Sequence, residues 1–180
     1  MKKIFFMLLF SSAMYAHAQV VNATLQASGL TCSMCSNAIN KSLRTLDFVD
    51  KVTANIKNST FEITFKPNTQ VDFDKLKNKV EDAGFFVAGL TAVFNFNKVN
   101  ISSDSHVQQN GALFHFLNTP TQTLDGNTSI KLLDKGFVSA KTFKQNNKLT
   151  SMKCYTTGKA EACCTKEGVK EGTRIYHVTI

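Results

Sequence analysis

Tryptophan is absent from this 180-residue sequence, and proline occurs only twice, at Pro67 and Pro120. So little proline excludes collagen-like and proline-rich extended chains, and an apolar content of 43% excludes a disordered tail. Long apolar runs are missing as well. The longest is Ile4 to Phe10, far short of the about 20 residues that a membrane-spanning helix needs, so no transmembrane span is expected. Arginine is nearly absent, with only Arg44 and Arg174. The formal net charge of +8 therefore comes mainly from lysine. A solvated lysine surface without the forked arginine heads that read phosphates and bases gives no reason to expect a nucleic-acid partner.

What is present at the N-terminus has the order of a secretory signal. Lys2 and Lys3 precede the apolar run, and Ala16-His17-Ala18 offers a small-x-small cleavage site before Gln19. Residues 1–18 are read as a signal peptide. No cysteine follows the cleavage site, so no lipid anchor is expected, and the location predicted is secreted or periplasmic.

From Val20 onward the pattern runs strand, helix, strand, strand, helix, strand. Val20–Ser28 is rich in strand formers and stops at Gly29, while Ser33–Leu46 spaces Cys35, Ala38, Ile39, Leu43 and Leu46 along one helical face. Val49–Lys57 and Thr60–Lys66 flank an Asn58-Ser59 turn as a hairpin. Asp72–Ala83 places Phe73, Leu76, Val80 and Ala83 on one face, with acidic residues in the first turn and Gly84 as the stop. Phe85–Phe96 is the last strand. Two helices over a four-stranded antiparallel sheet predict a ferredoxin-like βαββαβ domain over residues 19–97.

Residues 98–110 are polar and read as a linker. Beyond them Gly111–Asn118, Ser129–Leu133, Phe137–Phe143, Leu149–Thr156 and Arg174–Ile180 resemble strands separated by turn signals. The fold class expected is α+β, with the ferredoxin-like domain followed by a small all-β sandwich or barrel over 111–180.

The chemistry concentrates in Gly29-Leu30-Thr31-Cys32-Ser33-Met34-Cys35, between the first strand and the first helix. Two thiols at this spacing sit on a loop and a first helical turn, where unpaired N–H groups and the helix dipole favour thiolate. A two-thiolate site suits Cu(I) better than Zn(II), which recruits about four ligands. The same spacing serves thiol–disulfide redox proteins, so that reading stands as an alternative.

Gly29-Leu30-Thr31-Cys32-x-x-Cys35, followed by Ile39 and Leu43 and then by Ala83-Gly84-Phe85, resembles the heavy-metal-associated domain. That family includes copper chaperones, the N-terminal domains of copper-transporting P-type ATPases and the exported mercury-binding protein. The resemblance covers residues 20–97. It implies binding and hand-over of a soft ion through Cys32 and Cys35, without catalysis, to a metal transporter or cuproprotein. Cu(I) is the ion expected, with mercury or zinc as alternatives. Leu30 stands where the family usually has Met. Phe85 stands where it often has Lys or Tyr near the metal. Met34 and Phe85 are candidates for positions around the ion.

A second set of cysteines lies at Cys154, Cys163 and Cys164. Adjacent Cys163 and Cys164 are too close to bond to one another, so a disulfide of Cys154 with Cys163 or Cys164 is expected. The competing reading is a second soft-metal site made of Cys154, Cys163, Cys164 and His177, with Met152 nearby. His115 alternates with Leu113 and Leu117 and is expected to be a packed, hydrogen-bonded residue rather than a ligand. His106 falls in the polar linker.

Overall fold

Strand β1 (Val20–Ser28) buries Val20, Ala23, Leu25 and Ala27 on one face, and Gly29 ends it at φ +82°, a conformation that a side chain resists. The computed structural model describes residues 19–30, 32–162, 164 and 169–180. The expected signal peptide lies outside them.

Helix α1 (Ser33–Leu43) buries Ser36, Ile39 and Leu43. It stops three residues short of the predicted end because Arg44 begins a turn that hands the chain to β2 (Val49–Asn55). Strand β3 (Thr60–Phe65) alternates strictly, with Phe61, Ile63 and Phe65 inward. Helix α2 (Phe73–Asp82) is capped by the Asp72 carboxylate, which accepts from the Lys75 N–H at 3.1 Å. Its face of Phe73, Leu76 and Val80 is fully covered. These elements lie as the hydrophobic periodicity predicts.

Strand β4 (Phe86–Ile101) is sixteen residues long and does not end at Phe96. Its first part pairs antiparallel with β1, for instance Leu25 with Leu90. Its other edge pairs antiparallel with β7 (Gln122–Leu132), from Thr91 opposite Lys131 to Ile101 opposite Gln122. A bulge between Phe96 and Val99 bends the strand, with Lys98 at φ +49°. Strand β8 (Ile175–Thr179) joins β7, β6 (Ala112–Phe116) pairs parallel to β8, and β5 (His106–Gln109) closes the far edge. The result is one eight-stranded sheet in the order β2-β3-β1-β4-β7-β8-β6-β5.

The expectation of a separate all-β sandwich or barrel is therefore corrected. The second half extends the first sheet and carries two helices. The expected linker is the tail of β4, a turn and β5. Two segments read as strands are in part helical: α3 (Ala140–Asn146) and the single turn α4 (Cys154–Thr157). Ser139 caps α3 by accepting from the Thr142 N–H at 3.1 Å, a local bond that outweighs the strand propensity of its neighbours. In α4, Tyr155 is pulled inward by its hydroxyl, within 3.1 Å of the Leu133 and Phe143 carbonyls, and its ring stacks on Phe143.

The two halves share a core. Phe73 on α2 lies 6.2 Å from Phe94 on β4, 6.1 Å from Phe114 on β6 and 5.4 Å from Tyr176 on β8, measured between ring centroids. Beside this cluster Arg174 donates to both oxygens of Asp74 at 2.8 and 3.2 Å, and to Asp134 at 3.1 Å. Its guanidinium also sits 4.2 Å from the Tyr176 ring centroid. Burial pushes the Asp74 carboxyl up, but the hydrogen bonds and charge of Arg174, with help from Lys77 and Tyr176, outweigh it and hold the group below its ordinary value.

Phe73→Ala should cost about 3–5 kcal/mol, and because the core is common to both halves, unfolding should remain one transition by fluorescence and far-UV dichroism. Two separated transitions would show that the halves fold independently. Asp74 stabilises the fold only while ionised, so its contribution is present above about pH 4 and fades as pH falls through its lowered native value. Asp74→Asn should cost about 1–2 kcal/mol at pH 7, with the difference narrowing below pH 4 in urea titrations.

Candidate metal centre

The end of β1 lies beside the start of β4, with Ser28 paired to Phe86. The loop that carries the first thiol therefore leaves the sheet next to Phe85. A Cβ placed on Gly29 would come 3.9 Å from a Phe85 ring carbon, and Leu30 and Phe85 both pack, half-buried, on the main core. Leu30 thus keeps the apolar anchor that the loop requires. Thr31 lies outside the described residues.

Cys32 is the N-cap of α1, in extended conformation, and its sulfur accepts the Cys35 N–H at 3.3 Å. Thiols are unusual caps; here the cap position turns the sulfur toward the helix N-terminus and the second thiol. The hydrogen bond with the Cys35 side chain, then the Cys35 and Met34 backbone N–H groups, lower the Cys32 thiol below its ordinary value despite some desolvation. Cys32 is exposed and Cys35 half-buried, so an incoming group can approach the first sulfur while the second is held by the fold. Met34 is 81% exposed and Phe86 70% exposed. Met34 thus points to solvent, and Phe85 fills space under the loop.

The C-terminal residues are distributed differently from expectation. Cys154 and His177 do come together, with His177 Nε2 3.5 Å from Cys154 Sγ. Cys164 is buried in the same small apolar cluster as Cys154, alongside Leu113, Ala160 and Ile175, with Met152 packed against it. Cys163 lies outside the described residues, and with it the pairing of Cys154 to Cys163. Among the described residues no disulfide joins Cys154 to Cys164.

His115 is packed and hydrogen-bonded as expected, with Nε2 3.0 Å from Asp104 Oδ1, yet its other nitrogen faces Cys154 Sγ at 3.6 Å. Burial, then the neighbouring His177 and His106, push His115 down to about 4 against the pull of Asp104, so the ring is neutral at physiological pH. His106 stacks on His115 with ring centroids 4.4 Å apart. Sequence reasoning missed the pairing of His106 and His115 with Cys154. The only signal was His115 and His177 in strand-like contexts, since His106 read as part of the polar linker, and the register that aligns the three is set by strand pairing.

Residues 24–86 match the heavy-metal-associated domain profile. A probable copper-transporting ATPase of Arabidopsis thaliana is 32% identical over 66 residues, which is 37% of this chain and 6% of that protein. A copper-transporting ATPase of Saccharomyces cerevisiae is 36% identical over 61 residues, 34% of this chain and 6% of the other. The chain spans less than a tenth of the length of these curated relatives. Among solved structures, the yeast copper transporter domain Ccc2a is 33% identical, covers 37% of this chain and 90% of its own, and superposes with a TM-score of 0.34. Residues 24–86, with Cys32 and Cys35 at the mouth of the first helix, are a heavy-metal-associated domain.

Proposed function

We propose that this chain is an exported soft-metal-binding protein that takes up Cu(I) through Cys32 and Cys35 and passes it on, without catalysis. The observation that carries this reading is the placement of one exposed and one half-buried thiol on the cap and first turn of α1. Two thiolates satisfy Cu(I), a soft ion content with two ligands. Accessibility of Cys32 permits exchange, in which a partner cysteine binds the ion as Cys32 leaves, then displaces Cys35 through a shared-thiolate intermediate. Exposed Met34 and Phe86 offer an apolar rim to such a partner, which would be a metal transporter or cuproprotein. The copper transporters among its relatives support the choice of ion. Export rests on Lys2, Lys3, the run Ile4 to Phe10 and Ala16-His17-Ala18, and implies a secreted or periplasmic site of action. No helix among the described residues is long and apolar enough to cross a membrane.

Native mass spectrometry of the reduced chain with Cu(I), Zn(II) or Hg(II), under chelator competition, tests the ion. Tight retention of Cu(I) alone is expected. Preference for Hg(II) or Zn(II) would move the protein to resistance or zinc handling. A Cys32–Cys35 pair that ignores metal but cycles with a defined midpoint potential would make it a redox protein. Cys32→Ser and Cys35→Ser should each lower Cu(I) affinity at this site by at least 100-fold, because one thiolate leaves the ion unshielded. Phe85→Ala should cost about 1–3 kcal/mol of stability in thermal melts, less than a fully buried Phe, while Cu(I) affinity changes less than tenfold. Normal melting with a collapsed affinity would place Phe85 in the metal's immediate surroundings instead.

A further inference from the structure

Strand pairing in the second half sets three histidines at one level. His106 on β5 is opposite His115 on β6, and His115 is beside His177 on the parallel β8. The rings touch in sequence, with centroids 4.4 Å apart for His106 and His115 and 5.1 Å for His115 and His177. The turn α4 lays Cys154 over this row. Ligand atoms of His106, His115 and Cys154 all lie within 4.8 Å of one another.

Two carboxylates determine which way the imidazoles present their lone pairs. Asp104 Oδ1 lies 3.0 Å from His115 Nε2, and Asp134 Oδ1 lies 2.9 Å from His177 Nδ1. An ionised carboxylate only accepts, so those nitrogens carry the protons. That leaves His115 Nδ1 and His177 Nε2 as the two nitrogens that face the Cys154 sulfur, at 3.6 and 3.5 Å. A single S–H proton can serve only one of them, whereas the ligand atoms of His115, Cys154 and His106 lie close enough together for one cation to bridge them. A carboxylate behind the imidazole, as Asp104 is behind His115, is the usual support of a metal-binding histidine. Nitrogen-to-sulfur spacings of about 3.5 Å are also what tetrahedral coordination produces from metal–S and metal–N bonds of about 2.3 and 2.0 Å.

Cys154, His177 and Asp134 taken in that order also have the connectivity of a nucleophile, its base and an orienting acid. Both Cys154 and His177 are 0% exposed, so no substrate reaches the sulfur, whereas a single ion needs only a narrow path. His106, half-buried, lines a surface cavity of about 810 Å³, which puts one member of the cluster at the surface.

We infer that the second half of this protein contains its own buried metal site, in which Cys154, His115 and His106 hold one Zn(II) or Cu(I) ion. One thiolate with several imidazoles suits either ion. The site is independent of Cys32 and Cys35, so the protein would bind two ions of different accessibility, one exchangeable and one enclosed.

The test uses the full-length chain carrying Cys32→Ser and Cys35→Ser, which removes the first site, titrated with Zn(II), with Co(II) as its spectroscopic substitute, and with Cu(I). One equivalent should bind, and Co(II) should show thiolate-to-metal charge-transfer absorption that Cys154→Ser abolishes. His106→Gln, on a half-buried edge-strand residue, should melt like its parent yet weaken Zn(II) or Cu(I) at least tenfold, which keeps the inference testable if Cys154→Ser fails to fold. Competition between the ions names the occupant. Absence of stoichiometric metal, binding that survives both substitutions, or recovery of Cys154 in a disulfide from protein isolated without reductant would each overturn the inference. None of these results bears on Cys32 and Cys35, whose failure would appear only in chains that retain them.

Discussion

Both edges of β4 are hydrogen-bonded, one to β1 and the other to β7, and almost everything else about the molecule follows from that. In the order β2-β3-β1-β4 the fourth strand would be the open edge of a ferredoxin-like unit, with a row of unpaired N–H and C=O groups exposed to other chains. Here the strand runs on past Phe96 and recruits its own second half to cover that edge. The cost of ordering the C-terminal strands is offset by backbone pairing and by the aromatic cluster of Phe73, Phe94, Phe114 and Tyr176. Arg174 reinforces the same seam by joining Asp74 on α2 to Asp134 beyond β7. Neither half can shift against the other without exposing that core.

The two groups of soft ligands differ in a way that follows from their construction. Cys32 and Cys35 are three residues apart, and the helix cap alone brings them together, so their geometry is local and their exposure can be high without loss of fold. Cys154, His106, His115 and His177 come from four elements and meet only because β5, β6 and β8 are in register under α4. Such a cluster must be enclosed, since the elements that bring it together also cover it. An accessible pair suits transfer. An enclosed cluster, backed by Asp104 and Asp134, suits retention.

The polar groups of the enclosed cluster show why it is costly to leave half-made. Asp134 is almost fully buried and takes hydrogen bonds from Arg174, the His177 N–H and the His177 ring. Removing any one of these leaves a carboxylate in an apolar setting with fewer donors, a change that usually costs more than the bond itself contributes. The cluster is thus tied into the seam between the halves through Arg174, and its geometry depends on the same residues that hold α2 to β8.

Local order and the accessible thiol pair were legible from the residues alone. The period of Phe61, Ile63 and Phe65, the Asp72 cap, the stops at Gly29 and Gly84, and the Cys32-to-Cys35 spacing each act within one turn or one strand, where neighbours along the chain are neighbours in space. The bounds of β1 and the first five elements in their order came from such signals. The length of β4 did not, because nothing in Asn97 to Ile101 tells a linker from a strand until β7 supplies hydrogen bonds for it. Phe137–Phe143 and Leu149–Thr156 read as strands from their composition, and became in part helical through Ser139 and through the hydroxyl of Tyr155 reaching carbonyls elsewhere. The meeting of His115 with His177, 62 positions apart, was decided only by the parallel pairing of β6 with β8. Register between distant strands is set by which faces can be buried together, and that is a property of the assembled sheet rather than of any segment.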